Sequence, residues 1–173
     1  MKKRILTWLL AISMLGSLLT VPAGAAAVTK FSDVSDSYTA TAVESLRLMG
    51  VLDGYGDGTF RPDTVLNRAQ FCKMAVYAMD GSGELGRYST VTIFPDVKPS
   101  HWASAYINMA ARKGIISGFA DGKFKPGQTV TAGQAVTILM RGLGYKDEDM
   151  GGVWPQSYMA EAQTNGLLKS TGI

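Results

Sequence analysis

The chain has 173 residues, 46% of them hydrophobic, with a formal charge of +3, one cysteine and one histidine. Lys and Arg total 17 against 14 Asp and Glu, and Lys2, Lys3 and Arg4 supply the whole excess, so the rest of the chain lacks the positive field that nucleic-acid binding needs. A single Cys72 excludes an intrachain disulfide, and one Cys with one His falls short of a zinc site.

Residues 1–25 read as a secretory signal peptide: Lys2, Lys3 and Arg4, an apolar run, then small residues that place cleavage after residue 25 or 27. No second long apolar run follows, so no membrane association is expected after cleavage. The remainder repeats itself. Residues 28–80 form a first copy, residues 81–93 a connector, residues 94–145 a second copy, and residues 151–173 the start of a third. "FSDV" at 31–34 returns as "FPDV" at 94–97, and "GVLDGYGDGTFRP" at 50–62 as "GIISGFADGKFKP" at 114–126. "WASAYINMAARKGII" at 102–116 returns as "WPQSYMAEAQTNGLL" at 154–168.

Each copy carries the same order of elements. Apolar spacing predicts a first helix over 38–49 and again over 102–113, each closed by a glycine (Gly50, Gly114, with Gly166 in the third copy) in the left-handed cap position. The glycine–aspartate loop follows. A second helix is predicted over 68–79 and over 132–143, announced by the capping-box spacing of Asn67 with Gln70 and of Thr131 with Gln134. The expected class is all-α, built from helix–loop–helix units.

Three readings compete for the loop. Asp53, Tyr55, Asp57 and Gly58 loosely follow an EF-hand, but the terminal glutamate is missing, so no metal or other cofactor is expected. Asp-Gly pairs favour tight turns, with Phe60 and Phe124 plugging the core. Arg61, Arg68 and Lys125, close to glycine-rich backbone, suit an anionic ligand. Taken singly, Trp102 reads as a core residue, Asp33 and Asp96 as caps of the local backbone, Cys72 as a small buried hydrophobe, and His101 as a surface loop residue.

The combination F-x-D-V, W-A, G-I-I-x-G, D-G-x-F-x-P and a helix-opening tetrad, here "NRAQ" at 67–70, resembles the S-layer homology repeat. The resemblance implies non-catalytic units packed as a pseudo-threefold bundle, the third unit here incomplete. It also implies a secreted location at the cell wall of a Gram-positive-type envelope, with a secondary cell-wall polysaccharide, often pyruvylated, as the ligand. It implies ligand contacts from Arg68, Asp33, Asp96 and Trp102, with the loop positions Gly54, Ser117 and Gly118. An arginine could pair with a pyruvyl carboxylate through two prongs. Because the second tetrad is "TAGQ", with Ala132 in place of arginine, the second copy's groove is expected to bind weakly. An exported protein–protein module and a fragment that binds nothing are the alternative readings, and a second copy of the chain could complete the third unit. No enzyme is expected, since His101 has no identifiable nucleophile or orienting partner.

Overall fold

In the computed structural model, residues 30–79 and 82–168 are described; the expected signal peptide lies outside them. The described chain is helical. α1 spans Ser37–Leu48, α2 Arg68–Ala78, α3 Ser104–Arg112, α4 Ala132–Gly142 and α5 Gln156–Thr164, with short 3₁₀ turns at Ser82–Tyr88 and Asp147–Asp149. The only described strand-like pairing is an isolated antiparallel bridge between Asn67 and Thr129.

Local chemistry sets the helix ends. Asp36 caps α1 by accepting from the Thr39 amide at 2.8 Å. Both expected capping boxes form: Asn67 with Gln70 opens α2, and Thr131 with Gln134 opens α4. Gly50, Gly114 and Gly166 adopt φ of +72°, +72° and +74°. The amide just past each glycine turns back onto the helix, as when Val51 donates to the Leu46 carbonyl at 2.9 Å.

The start of α3 departs from expectation. His101 accepts the Ala103 amide on Nδ1 and the Ser104 amide on its carbonyl, so residues 101–103 form a turn before the helix. That turn throws Trp102 outward, 57% exposed, where the sequence suggested a core side chain. His101 is half-buried, with its ring stacked on Trp102.

The helices pair across the copies. α2 of the first copy packs on α3 of the second, and α4 of the second on α5 of the third. Ala69, Cys72, Ala75 and Val76 of α2 meet Ile107, Met109 and Ala110 of α3 in the central core, closed by Phe94, Val97 and Phe124. Val136 and Met140 of α4 meet Tyr158 and Ala162 of α5 in a second cluster. Phe31, Val34, Ala40, Val43 and Leu52 form a third, at the first copy. Each junction between copies leaves a groove.

Candidate functional site: two grooves between successive copies

The repeated loop holds itself closed. Asp57 accepts the Thr59 amide and hydroxyl at 3.1 and 2.6 Å and pairs with Arg61 at 2.7 Å, which lowers its pKa to about 2, the Thr59 hydroxyl and Arg61 being the main causes. Asp121 pairs with the Lys125 ammonium at 3.0 Å and accepts the Lys123 amide at 3.1 Å, contacts that lower its pKa as well. Asp33 reaches across from the start of the copy to accept the Phe60 and Arg61 amides at 2.8 and 2.6 Å. Asp96 accepts those of Phe124 and Lys125 at 2.9 and 2.7 Å. Arg61 and Lys125 are the two described non-glycine residues with positive φ, +61° and +57°, so each aspartate clamps a strained position. Asp33 and Asp96 therefore bind the loop of their own copy, at long range rather than locally, and neither lines a groove.

The distal groove, about 410 Å³, lies between the second copy's loop, α4 and the start of α5. Arg68 enters it from α2. The helix N-terminus docks on the neighbouring loop: the Arg68 and Ala69 amides donate to the Gln128 and Pro126 carbonyls at 2.9 and 3.0 Å. The two donors, otherwise unpaired at a helix start, are thereby satisfied between copies. The Arg68 side chain then runs under the loop. Nε donates to the Phe124 carbonyl at 2.8 Å and Nη2 to the Ser117 carbonyl at 3.2 Å. The guanidinium lies 4.6 and 4.5 Å from the Phe119 and Phe124 ring centres. Arg68 is 5% exposed and pairs with no carboxylate of the described residues. Burial pulls its pKa down, with Cys72 and Asp96 acting the other way, yet arginine keeps its charge.

This corrects one expectation. Ala132 does not leave the second copy's groove without an arginine, because the arginine comes from the preceding copy. With Nε and one Nη2 hydrogen engaged, the Nη1 and Nη2 edge of Arg68 still carries N–H groups for a two-pronged contact.

Ser117 and Gly118 line the distal groove beside Arg68, and Trp154, 52% exposed, forms its far wall with Nε1 donating to the Thr137 hydroxyl at 3.0 Å. Arg141 completes it, donating to the Ser117 hydroxyl at 3.0 Å and pairing with Asp147. Burial opposes the Arg141 charge, but Asp147 and Tyr158 outweigh it and raise the pKa.

Gly54 and Trp102 lie in a different place, the proximal groove of about 400 Å³ between the first copy's loop and the start of the second. Here Lys73 sits 3.7 Å from Asp53, and Arg61 covers the Tyr55 ring at 4.0 Å. At the same junction but outside the groove's lining, the Tyr77 and Tyr106 hydroxyls meet at 3.3 Å, and burial followed by this contact pushes Tyr106 up to about 12. No described arginine enters under this loop, which leaves Phe60 half-buried whereas Phe124 is fully buried.

Sequence reasoning missed Trp154, Arg141, Asp147 and Phe119. Trp154 was recoverable from its match to Trp102; Arg141 was not, because tyrosine holds its place in the first copy. Cys72 is buried, and burial drives its thiol up to about 12, as expected of a packing residue.

The chain resembles known surface proteins over most of its length. It is 32% identical to the "Middle cell wall protein" of Brevibacillus brevis over 83% of this chain and 14% of that protein. It is 38% identical to the "Cell surface protein" of Thermoanaerobacter kivui over 84% and 19%. It is 31% identical to the "Cellulosome-anchoring protein" of Acetivibrio thermocellus over 65% and 26%. The chain thus spans only a minor part of these relatives. The family model for the S-layer homology domain matches residues 30–72 and 93–136, the two copies whose loops and helices are described above. The chain belongs to the S-layer homology domain family.

Proposed function

We propose that the chain is a non-catalytic anchoring module that works at the bacterial cell surface by binding a carboxylate-bearing secondary cell-wall polysaccharide, of the pyruvylated kind, in its distal groove. One observation carries this reading: Arg68 lines the groove without a carboxylate partner among the described residues, and the half-exposed Trp154 forms the wall opposite. A cation that burial disfavours and that forms no ion pair among the described residues is suited to an anionic ligand. Trp154 supplies the apolar face for a sugar ring. The proximal groove has Trp102 and Lys73 but no arginine beneath its loop, and we assign it the weaker role.

The test is co-sedimentation with purified sacculi. Trp154 is exposed enough that Trp154→Ala leaves the fold intact, and this variant should lose about tenfold in binding, the scale of a lost aromatic contact. Arg68→Lys, which keeps the charge and loses the fork to two carbonyls, should bind more weakly while still folding. Removing the wall polymer from the sacculi should abolish sedimentation. Undiminished binding to polymer-free sacculi, lost instead on protease treatment, would replace the sugar ligand with a protein partner.

A further inference from the structure

The distal groove contains a second cation whose charge is cancelled from within. Arg68, Arg141 and Asp147 are the charged residues that line it. Arg141 donates from Nε to Asp147 Oδ1 at 2.9 Å and from Nη2 to Oδ2 at 2.7 Å, and the Tyr158 hydroxyl donates to the same Oδ1. The Arg141 side chain is 14% exposed, that of Asp147 69%. The carboxylate therefore sits at the mouth, on the edge of the guanidinium that an incoming anion would otherwise take.

Among the described residues, the preceding junction shows no counterpart of this ion pair. Where Arg141 and Tyr158 meet in the distal groove, the corresponding residues at the preceding junction are Tyr77 and Tyr106, two neutral hydroxyls 3.3 Å apart that lie outside the lining of the proximal groove. The arginine and the aspartate are thus both additions to a neutral pair, and together they add no net charge. What remains is one cation without an ion-pair partner among the described residues, Arg68, with N–H groups on Nη1 and Nη2 still unengaged.

We propose that Asp147 is a specificity-determining residue that holds the groove at one net positive charge, so that it takes singly charged acidic sugars of the carboxylate class in preference to dianionic phosphate esters. The proposal rests on the wall-polymer reading and specifies its ligand. A second negative charge on a ligand would face Asp147 across the groove mouth without a free cation to balance it.

NMR titration of the protein with glucuronic acid and with glucose 6-phosphate at pH 8 and low salt tests it, since the phosphate ester is then largely dianionic. Asp147→Asn should tighten glucose 6-phosphate about tenfold and glucuronic acid by only about threefold, moving the ratio of the two constants. The double variant Asp147→Asn with Arg141→Gln restores one net charge and should return the ratio to the wild-type value. Both gains should shrink in about 1 M salt, where surface fields are screened within a few ångström. An unchanged ratio in Asp147→Asn, or a double variant that keeps the altered ratio, would reject the charge-limiting role. If glucuronic acid binds the wild type and the ratio stays fixed, only Asp147's role fails. If neither sugar moves the resonances of the groove in any variant, the wall-polymer reading fails and takes this inference with it.

Discussion

At the residue scale, much of the repeated loop consists of positions that the chain needs for itself. Gly54 shows this most clearly. A Cβ on Gly54 would stand 2.1 Å from the Phe31 ring, and its φ of +72° is strained for any other residue. Gly54→Ala should therefore lower stability by about 3 kcal/mol in urea unfolding, combining left-handed strain with overpacking. A stable Gly54→Ala protein with impaired binding would instead make Gly54 a ligand contact. The aspartates point the same way. The Phe60 amide, ahead of a smaller opposing effect of burial, lowers Asp33 below the usual carboxylate range. Burial pushes Asp96 up, but the Phe124 and Lys125 amides outweigh it, so its pKa also falls. A carboxyl whose folded pKa is depressed stabilises the fold above its unfolded pKa, and that contribution disappears as pH falls through the folded value. Urea midpoints should thus stay level from about pH 7 to 5 and fall between about pH 4 and 2, the latter being where Asp57 titrates. A decline that begins near pH 6 would contradict this assignment.

At the scale of the elements, each second helix is tied to its neighbours at its start. Asn67 caps α2 directly above the loop of the second copy, and Asn67→Ala should cost about 1 kcal/mol through the lost capping box. Gly133, in the first turn of α4, gives a less obvious case. Helix propensity alone favours alanine there by roughly 1 kcal/mol. Yet a Cβ would stand 2.7 and 2.8 Å from Pro155 Cβ and Cγ, so the glycine admits the approach of the third copy. Gly133→Ala should therefore be destabilising, by about 1 kcal/mol net. It should also shift the Trp154 indole NMR resonance, because Trp154 precedes the displaced Pro155. A stabilised variant with an unmoved Trp154 signal would show that the junction yields.

The whole molecule is bound together at the junctions as well as within the repeats, where the first copy keeps a core of its own. α2 and α3, and α4 and α5, pair across copies, and the central core takes residues from both. Independent melting of the copies is therefore not expected: calorimetry should show one transition, and Tyr158→Ala, at a site 2% exposed in the last junction, should lower that single transition by about 4 kcal/mol of stability. Two separated transitions would show that the copies fold alone.

Periodicity and caps are local properties, so the sequence by itself determined the helix–loop–helix order, the capping boxes, the left-handed glycines and the family. It also pointed to Arg68 as a residue of interest, since a cation at a helix start opposes the macrodipole. Only the tertiary structure decided where that arginine goes. The repeat period marks one unit of sequence, whereas the groove joins the loop of one copy to the second helix of the copy before it and the first helix of the next. Arg68, Ser117 and Trp154 meet for that reason, although each belongs to a different copy. Asp147 and Arg141 lie only six residues apart, but the Tyr158 hydroxyl that fixes the carboxylate comes from the third copy, so this cluster too is completed at the junction.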